Sequence, residues 1–311
     1  MQKFFSRLHW LDIVILAIVI GFFVYVFMQM GGNLKYHWRW EKIPNYILRY
    51  HTGKEEWISN LLLIGLFNTI RICLIASVLA IILGVILGVA RCSNNLAIRM
   101  LARTYLEILR NIPPLVVVFI FYFFLAEQFI QALNIESWSY GIAKSENSEF
   151  WEFIFGDMRR FPSLISGIIV LALFESAFVG EIVRAGIESV DRGQREAARS
   201  VGMSSFQELR YIVLPQAMKK IMPPMANQFI TLIKDSSIIS LISVQELTYK
   251  TQALVSSTRM VFEAWLTCAA FYFIICYGLS VLFRRLEGNN CLLYTSPSPR
   301  DRTRSRMPSS A

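Results

Sequence analysis

Residues 188–224 read ESVDRGQREAARSVGMSSFQELRYIVLPQAMKKIMPP, a polar stretch between two long apolar segments. Asp191 is placed to cap a first short helix, and the Glu-Ala-Ala sequence at 196–198 favours helical structure. Gly202 suits the left-handed backbone conformation that commonly ends a helix. The sequence therefore predicts a short helix that starts at about Asp191 and stops at Gly202.

A second short helix is predicted directly after Gly202. Its capping box is formed either by Ser204 with Gln207 or by Ser205 with Glu208. Three apolar side chains follow at helical spacing and are expected on one face, namely Phe206, Leu209 and Val213. Two short helices with small side chains on one surface and apolar side chains on the next are suited to insertion into a groove on a partner protein.

The rest of the sequence is dominated by apolar blocks. Of 311 residues, 55% are hydrophobic and 17% are charged. The blocks are close to the roughly 20 residues that span a bilayer as a helix. We therefore predict an all-α integral membrane protein with six transmembrane helices, at residues 11–30, 70–90, 112–133, 162–185, 221–244 and 264–283.

Two of these blocks allow more than one interpretation. The first, at 11–30, follows basic residues and has a cleaved signal peptide as its alternative, although its apolar core is longer than that of a typical signal. The second belongs to an apolar stretch too long for one perpendicular helix. We expect residues 58–69 to form an interfacial lead-in and residues 70–90 to form the span.

The chain divides into three parts. Residues 1–60 hold the first span and a polar, aromatic-rich connector, and residues 61–288 form the main membrane domain, with the loop at about 189–215. Residues 289–311 are rich in Ser, Pro and Arg without periodicity, which predicts a disordered or non-native tail. Within it, residues 291–301 resemble the translation of an adapter used in sequencing libraries. Six spans place both termini on one side, and a modest excess of basic residues favours the cytoplasm.

Several classes of function are disfavoured. The net charge of +9 is spread between apolar blocks, not on the basic face that nucleic acid requires. The five cysteines form no CxxC pair or Cys/His group, so no metal site is predicted. A phosphate-binding P-loop needs GxxxxGK[ST], whereas Gly53-Lys54 is followed by Glu55. Neither HExxH nor GxSxG occurs, so no catalytic residue is predicted.

The loop carries a specific resemblance. Glu196-Ala197-Ala198, then Gly202, then Ile212, Leu214 and Pro215 match the pattern EAA-x3-G-x9-I-x-LP at every defining position. The loop therefore resembles the signature loop of permease subunits in bacterial ATP-binding-cassette (ABC) importers. Residues 105–123, 175–190 and 232–247 are similar to the histidine/glutamine/glutamate branch of these permeases, and the resemblance covers about 66–286.

This resemblance implies a type I ABC importer permease core with cytoplasmic coupling helices in the bacterial inner membrane. It implies a dimer of permeases, identical or sister chains, with cytoplasmic ATPase subunits and an extracytoplasmic amino-acid-binding protein. ATP and magnesium would be held by the ATPase, and this chain would carry no cofactor. Glu196 would orient the loop, Gly202 would allow its turn, and Phe206 and Leu209 would enter a groove of the ATPase.

Three ionisable residues fall within predicted spans. Glu175 lies in the middle of the fourth, and Lys234 and Asp235 lie in the fifth. Charges at membrane depth are costly and are candidates for function, so we predict that these residues line the translocation pathway. The alternative is a packing or gating network that never touches the substrate.

Two other functions are compatible with many apolar helices. A secondary transporter driven by an ion gradient would leave the loop unexplained, and six spans are few for that class. A membrane-embedded enzyme would need a catalytic motif. The sequence therefore predicts an importer subunit for polar amino acids that is not itself an enzyme.

Overall fold

The computed structural model describes residues 10–33, 36–51, 56–145 and 148–291. Its α-helices are α1 (Trp10–Asn33), α2 (Ile43–Ile47), α3 (Leu61–Arg91), α4 (Leu96–Asn111), α5 (Pro114–Phe121), α6 (Glu127–Ala132), α7 (Ile135–Ala143), α8 (Ser148–Phe155), α9 (Phe161–Glu188), α10 (Arg192–Ser200), α11 (Ser205–Gln207), α12 (Leu214–Asp235), α13 (Leu247–Thr258) and α14 (Val261–Cys291). Three described segments are 3-10 helices: Trp40–Lys42, Met158–Arg160 and Ser236–Ile242. Two described segments are π-helical: Tyr122–Ala126 and Glu208–Val213.

The described residues up to Ile43 form one compact unit, and those from Pro44 onward form another. In the first, α1 exposes large apolar side chains along its described length. Trp38 and Trp40 stack there with ring centroids 6.1 Å apart. The second unit holds the hydrophobic clusters around α9. Most of the predicted tail, residues 292–311, lies outside the described residues.

Four described helical segments are long and apolar enough to cross a membrane: Leu61–Arg91, Pro114–Ala132, Met158–Glu188 and Val261–Leu286. They correspond to the second, third, fourth and sixth predicted spans. The first and fifth were not among them, so the count of six remains a prediction. The fifth block, at 221–244, is divided between the end of α12 and the 3-10 segment Ser236–Ile242.

The lead-in predicted at 58–69 is not an element separate from the second span, and its position at the membrane interface stays a prediction. Residues from Leu61 onward belong to α3, which runs without a break to Arg91. The Asn60 side chain accepts a hydrogen bond from the Leu61 amide at 2.8 Å and caps this helix. A helix of 31 residues is about 46 Å long, so α3 exceeds the bilayer core of about 30 Å and extends beyond it.

The centre of the second unit is the parallel pair formed by α3 and α9. A Cβ atom added at Gly84 would lie 2.4 Å from Val179 Cγ1, and one added at Gly88 would lie 2.7 Å from Val183 Cβ. Only glycine permits so close an approach of two helices. The weak GxxxG signal in the sequence therefore marks a real interhelical contact.

A short antiparallel hairpin is the exception to the all-α prediction. Its strands are β1 (Leu48–His51) and β2 (Glu56–Ser59). Tyr50 pairs with Trp57, and their rings meet edge to face with centroids 5.4 Å apart. Aromatic residues favour strands and cross-strand contacts, which explains why this connector is not helical.

Helix α13 was not predicted, and a buried carboxylate positions it. Glu246 caps the helix by accepting hydrogen bonds from the amides of Thr248 and Tyr249, both at 2.8 Å. It also accepts from the Tyr272 hydroxyl at 2.8 Å. Thr69 accepts from the Leu247 amide at 3.0 Å, and these bonds join α13 to α3 and α14.

Candidate functional site

The first helix of the loop has both predicted ends. The Asp191 side chain accepts a hydrogen bond from the Gly193 amide at 2.7 Å at the start of α10. At the other end Gly202 has φ of +82°. The Met203 amide donates to the Ala198 carbonyl at 3.1 Å, which is the Schellman arrangement that closes a helix on a left-handed glycine. The predicted cap and turn are confirmed.

The second helix starts with the capping box of Ser204 and Gln207. The Ser204 amide donates to Gln207 Oε1 at 2.9 Å, and the Gln207 amide donates to Ser204 Oγ at 3.4 Å. Glu208, the partner in the alternative box, is buried and binds Arg199 instead. After α11 the chain is π-helical over Glu208–Val213 and then enters α12.

The π-helical turn changes which apolar side chains share a face. Phe206 is 70% exposed, whereas Val213 is 1% exposed, and Leu209 packs against the same core cluster as Val213. The prediction that Phe206, Leu209 and Val213 lie on one face was wrong. A π-helix has a wider turn than an α-helix, so spacings of three and four residues no longer align.

The inner side of the loop is held against the membrane helices. Ala198 and Val213 are buried, and Val190 packs with Val213 in one apolar cluster. Arg195 donates from Nη2 to the Ile187 carbonyl, and Lys220 donates from Nζ to the Ser189 carbonyl at 2.5 Å. These bonds satisfy carbonyl groups at the end of α9, so the loop is fixed to that helix.

An ion pair joins the two helices of the loop. Arg199 Nε donates to Glu208 Oε2 at 2.8 Å across the turn at Gly202. The hydrogen bond to Glu208 raises the pKa of the Arg199 guanidinium above its ordinary value. The pair links the two helices of the loop and holds them in one orientation.

The outer side of the loop presents an apolar surface. Val201, Phe206 and Tyr211 are 74%, 70% and 62% exposed, and we call these three residues the apolar patch. Exposed large apolar side chains within one short polar loop are typical of contact sites for other proteins. The other residues of the matched pattern differ in exposure: Glu196, Ala197 and Pro215 are exposed, Ile212 and Leu214 are half-buried, and Ala198 is buried.

A charged cluster on the membrane helices adjoins the loop. Glu181 of α9 pairs with Arg91 at 2.9 Å, Arg110 at 3.4 Å and Arg184 at 2.5 Å. These arginines come from α3, α4 and α9 itself. The basic segment that follows the second predicted span therefore forms mainly the amphipathic helix α4. The ion pair between Arg110 and Glu181 holds α4 against α9.

The intramembrane charges are only partly brought together. Glu175 is fully buried in α9, and Gln228 of α12 donates to its Oε2 at 2.7 Å. Asp235 approaches Glu175, whereas Lys234 is exposed. Glu175 Oε1 is buried without a hydrogen-bond partner in the described part of the chain. Two of the three predicted residues thus share one polar site, and Lys234 does not join them.

A family described as "Binding-protein-dependent transport system inner membrane component" matches residues 80–289. The chain belongs to this family. It is therefore a multi-pass inner-membrane permease subunit of an ABC transporter, and the ATPase is a separate subunit. An ATPase and a substrate-binding protein are partners that family membership implies. This excludes the secondary transporter that the sequence left open.

Curated relatives of this permease cover most of both sequences. A probable glutamine ABC transporter permease protein of Bacillus subtilis, GlnM, is 33% identical over 223 residues, 72% of this chain and 90% of the relative. The glutamine transport system permease protein GlnP of Escherichia coli K12 is 29% identical over 227 residues, 73% of this chain and 91% of the relative. The family match at residues 80–289 includes the loop.

Solved structures share the permease fold. One described as "Crystal structure of an amino acid ABC transporter with histidines" is 30% identical with a TM-score of 0.59, covering 74% of this chain and 94% of that chain. An inward-facing MetNI methionine ABC transporter is 16% identical with a TM-score of 0.54, covering 74% and 95%. The second likeness is one of fold alone.

Sequence analysis missed several residues of these permease sites. Gln228 is polar within a predicted span, so the argument from membrane depth could have found it. Val201 and Tyr211 are apolar residues within a polar loop, but no spacing rule placed them beside Phe206. In the described residues no group of three or more His, Cys, Asp or Glu side chains could hold a metal ion.

Proposed function

We propose that this chain is the permease of an importer that moves polar amino acids into the cytoplasm. Relatives named for glutamine and a related structure containing histidines support this class of substrate. The polar site at Glu175 and Asp235 is suited to a polar solute, because its carboxyl groups and the Gln228 amide offer hydrogen-bond partners within the membrane domain.

The loop 189–215 is the element that couples this permease to its ATPase. The observation that carries this proposal is the apolar patch of Val201, Phe206 and Tyr211, exposed on a loop that is fixed to α9 from its inner side. A rigid loop transmits a push from its partner to the membrane helices. Glu196 is exposed on the same loop, where its carboxylate is available to bind the ATPase.

The assembly follows from this role. Two permease chains, identical or sister, face each other, with ATP and magnesium bound by the ATPase subunits on the side of the loop. That side is the cytoplasm, and both termini of the chain face it. The binding protein delivers the amino acid to the opposite ends of α3 and α9.

The Glu175 site is the polar part of the translocation pathway. Glu175 is buried in the middle of α9 and contacts both Gln228 and Asp235, and this supports a role in the pathway because ionisable residues at membrane depth are costly and commonly functional. Asp235 belongs to the same site. Lys234 is exposed and therefore contributes less directly.

The test is uptake by proteoliposomes that contain the permease with its ATPase and binding protein. We expect uptake of a radiolabelled amino acid to require internal ATP and to persist after ionophores collapse ion gradients. Competition by each of the twenty amino acids then identifies the substrate. Uptake that survives without ATP, or that no amino acid competes for, would contradict the proposed function.

A second experiment isolates the loop. Phe206→Ser and Tyr211→Ser should reduce retention of the ATPase in a pull-down, because each removes an exposed apolar contact. Phe153→Ser is the matched control, since this side chain is 81% exposed but lies before α9, at the other end of that helix. Equal retention in all three variants would remove the case for the patch.

A further inference from the structure

A polar cavity lies at the end of the α3–α9 pair that is farthest from the loop. Its volume is about 270 Å³. Its walls come from the first half of α3, the turn before α9, and the segment that leads into α13, and they include Asn68, Arg71, Arg160, Ser163, Gln245 and Lys250. The 28 residues of α9 span about 42 Å, so this cavity and the loop lie on opposite sides of the membrane domain.

Two cations in the cavity wall are bonded only to neutral oxygens within the described residues. Lys250 is 9% exposed, and its Nζ donates to Gln245 Oε1 at 2.6 Å. Arg71 donates to Asn68 Oδ1 at 3.2 Å and to the Phe153 carbonyl at 2.9 Å. Asp157 attracts the Lys250 ammonium group electrostatically but forms no direct ion pair with it in the described residues. Both cations are therefore suited to bind an anion that arrives from outside.

The one carboxylate in the wall lies at the rim. Asp157 Oδ2 is 3.3 Å from Arg160 Nε, and both side chains are about half exposed. The cavity thus has three cations against one anion, with the positive groups Lys250 and Arg71 deeper than Asp157. A cleft of this kind concentrates anions and places a carboxylate inward and an ammonium group outward.

We infer that this cavity is an entry site that binds the carboxylate of the amino acid after its release by the binding protein. The inference rests on the proposed function and adds to it a site distinct from Glu175. Leu164 of the cavity wall precedes Glu175 by 11 positions in α9, about 16 Å along the helix. The volume of about 270 Å³ is just below the usual range of ligand pockets, about 300–1,000 Å³, which fits a solute as small as an amino acid.

The bonds within the wall explain how the site is kept open. Asn68 donates to the Gln245 carbonyl at 2.9 Å, and Ser163 donates to the Ser243 carbonyl at 3.1 Å. These bonds tie α3 and α9 to the segment before α13. Gly65 supports the same geometry, because a Cβ atom there would lie 2.9 Å from Lys250 Cγ and displace the lysine.

The experiment uses the purified permease–ATPase complex without binding protein. It is dialysed to equilibrium against an equimolar mixture of the twenty protein amino acids, and the bound fraction is quantified by mass spectrometry. Lys250→Met and Arg71→Gln should each lower the bound amount about tenfold, the size expected for the loss of one charge-assisted hydrogen bond. Arg159→Gln is the control, because Arg159 is exposed on the same turn as Arg160 but lies outside the cavity wall.

A second mixture contains the corresponding amines without the carboxylate, and we expect none of them to bind. Retention of amino acids by Lys250→Met and Arg71→Gln at the wild-type level would overturn the inference, as would the absence of any bound amino acid in the wild-type complex. Loss of binding-protein retention in the two variants, with unchanged amino acid binding, would assign the cations to a carboxylate of the binding protein and also overturn it. Failure of the proposed function would give a different result from failure of this inference. The wild-type complex would then show no ATP-dependent uptake in proteoliposomes.

Discussion

The α3–α9 interface and the loop 189–215 both depend on glycine, but for different reasons. At Gly84 and Gly88 the limit is space, because a Cβ atom would lie within 3 Å of residues of α9. At Gly202 no atom lies within 4 Å of the added Cβ, and the limit is the backbone, with φ of +82°. The interface is therefore a matter of packing, and the loop is a matter of local conformation.

The largest effect is expected from Gly84→Val. Its Cβ would lie 2.4 Å from Val179 Cγ1, so α3 and α9 must separate. Overpacking typically costs about 1–3 kcal/mol and here affects the central helix pair. We expect several-fold less permease in the membrane, measured by immunoblot. Gly278→Val is the control, because Gly278 lies in α14 with open space around it. Normal abundance of Gly84→Val would refute the packing account.

Gly202→Val should leave abundance normal and abolish most transport. A non-glycine residue at positive φ costs roughly 1–2 kcal/mol, and a β-branched residue is tolerated least. The turn at Gly202 would open and change the orientation of Phe206. Retention of the ATPase and the ATP hydrolysis that the binding protein stimulates should therefore both fall. Gly202→Asn should recover much of the activity, since asparagine tolerates the left-handed conformation. Equal behaviour of the Val and Asn variants would show that backbone conformation is not the cause.

Glu175 lies on α9 about one turn before Val179 and gives an intermediate effect. Glu175→Gln and Asp235→Asn should lower the uptake rate more than membrane abundance, because they alter a shared buried polar site. Lys234→Met should have the smaller effect, as its side chain is exposed. The measurement is ATP-dependent uptake normalised to permease content. If Lys234→Met were the most damaging of the three, the assignment of the pathway to the Glu175 side would be wrong.

Gly180→Ala should have the smallest effect, and it tests the same interface from the α9 side. The added Cβ would lie 3.3 Å from Leu106 Cδ2, a flexible group that can move by a few tenths of an ångström. Alanine also favours the helix over glycine by about 1 kcal/mol. We expect the thermal unfolding midpoint of the purified complex to change by no more than about 2 °C. A loss as large as that of Gly84→Val would mean that the whole interface, and not only its α3 side, excludes a methyl group.

The sequence predicted the membrane architecture in outline and the loop in detail. The caps at Asp191 and Ser204 and the turn at Gly202 were confirmed because they depend on residues within a few positions of each other. The predicted apolar face was wrong because the π-helical turn at Glu208–Val213 is not a local preference. The continuous helix α3 was also not foreseen, since apolar length alone does not locate the start of a helix.

The sequence by itself determined the class of the protein, because a pattern of apolar blocks and a contiguous signature loop are one-dimensional properties. Only the tertiary structure decided which distant side chains meet. The pairing of Glu175 with Gln228, the clamp at Glu181, and the cavity around Lys250 join helices far apart in the chain. Their partners are selected by helix packing, which depends on the shapes of whole surfaces and not on any local spacing.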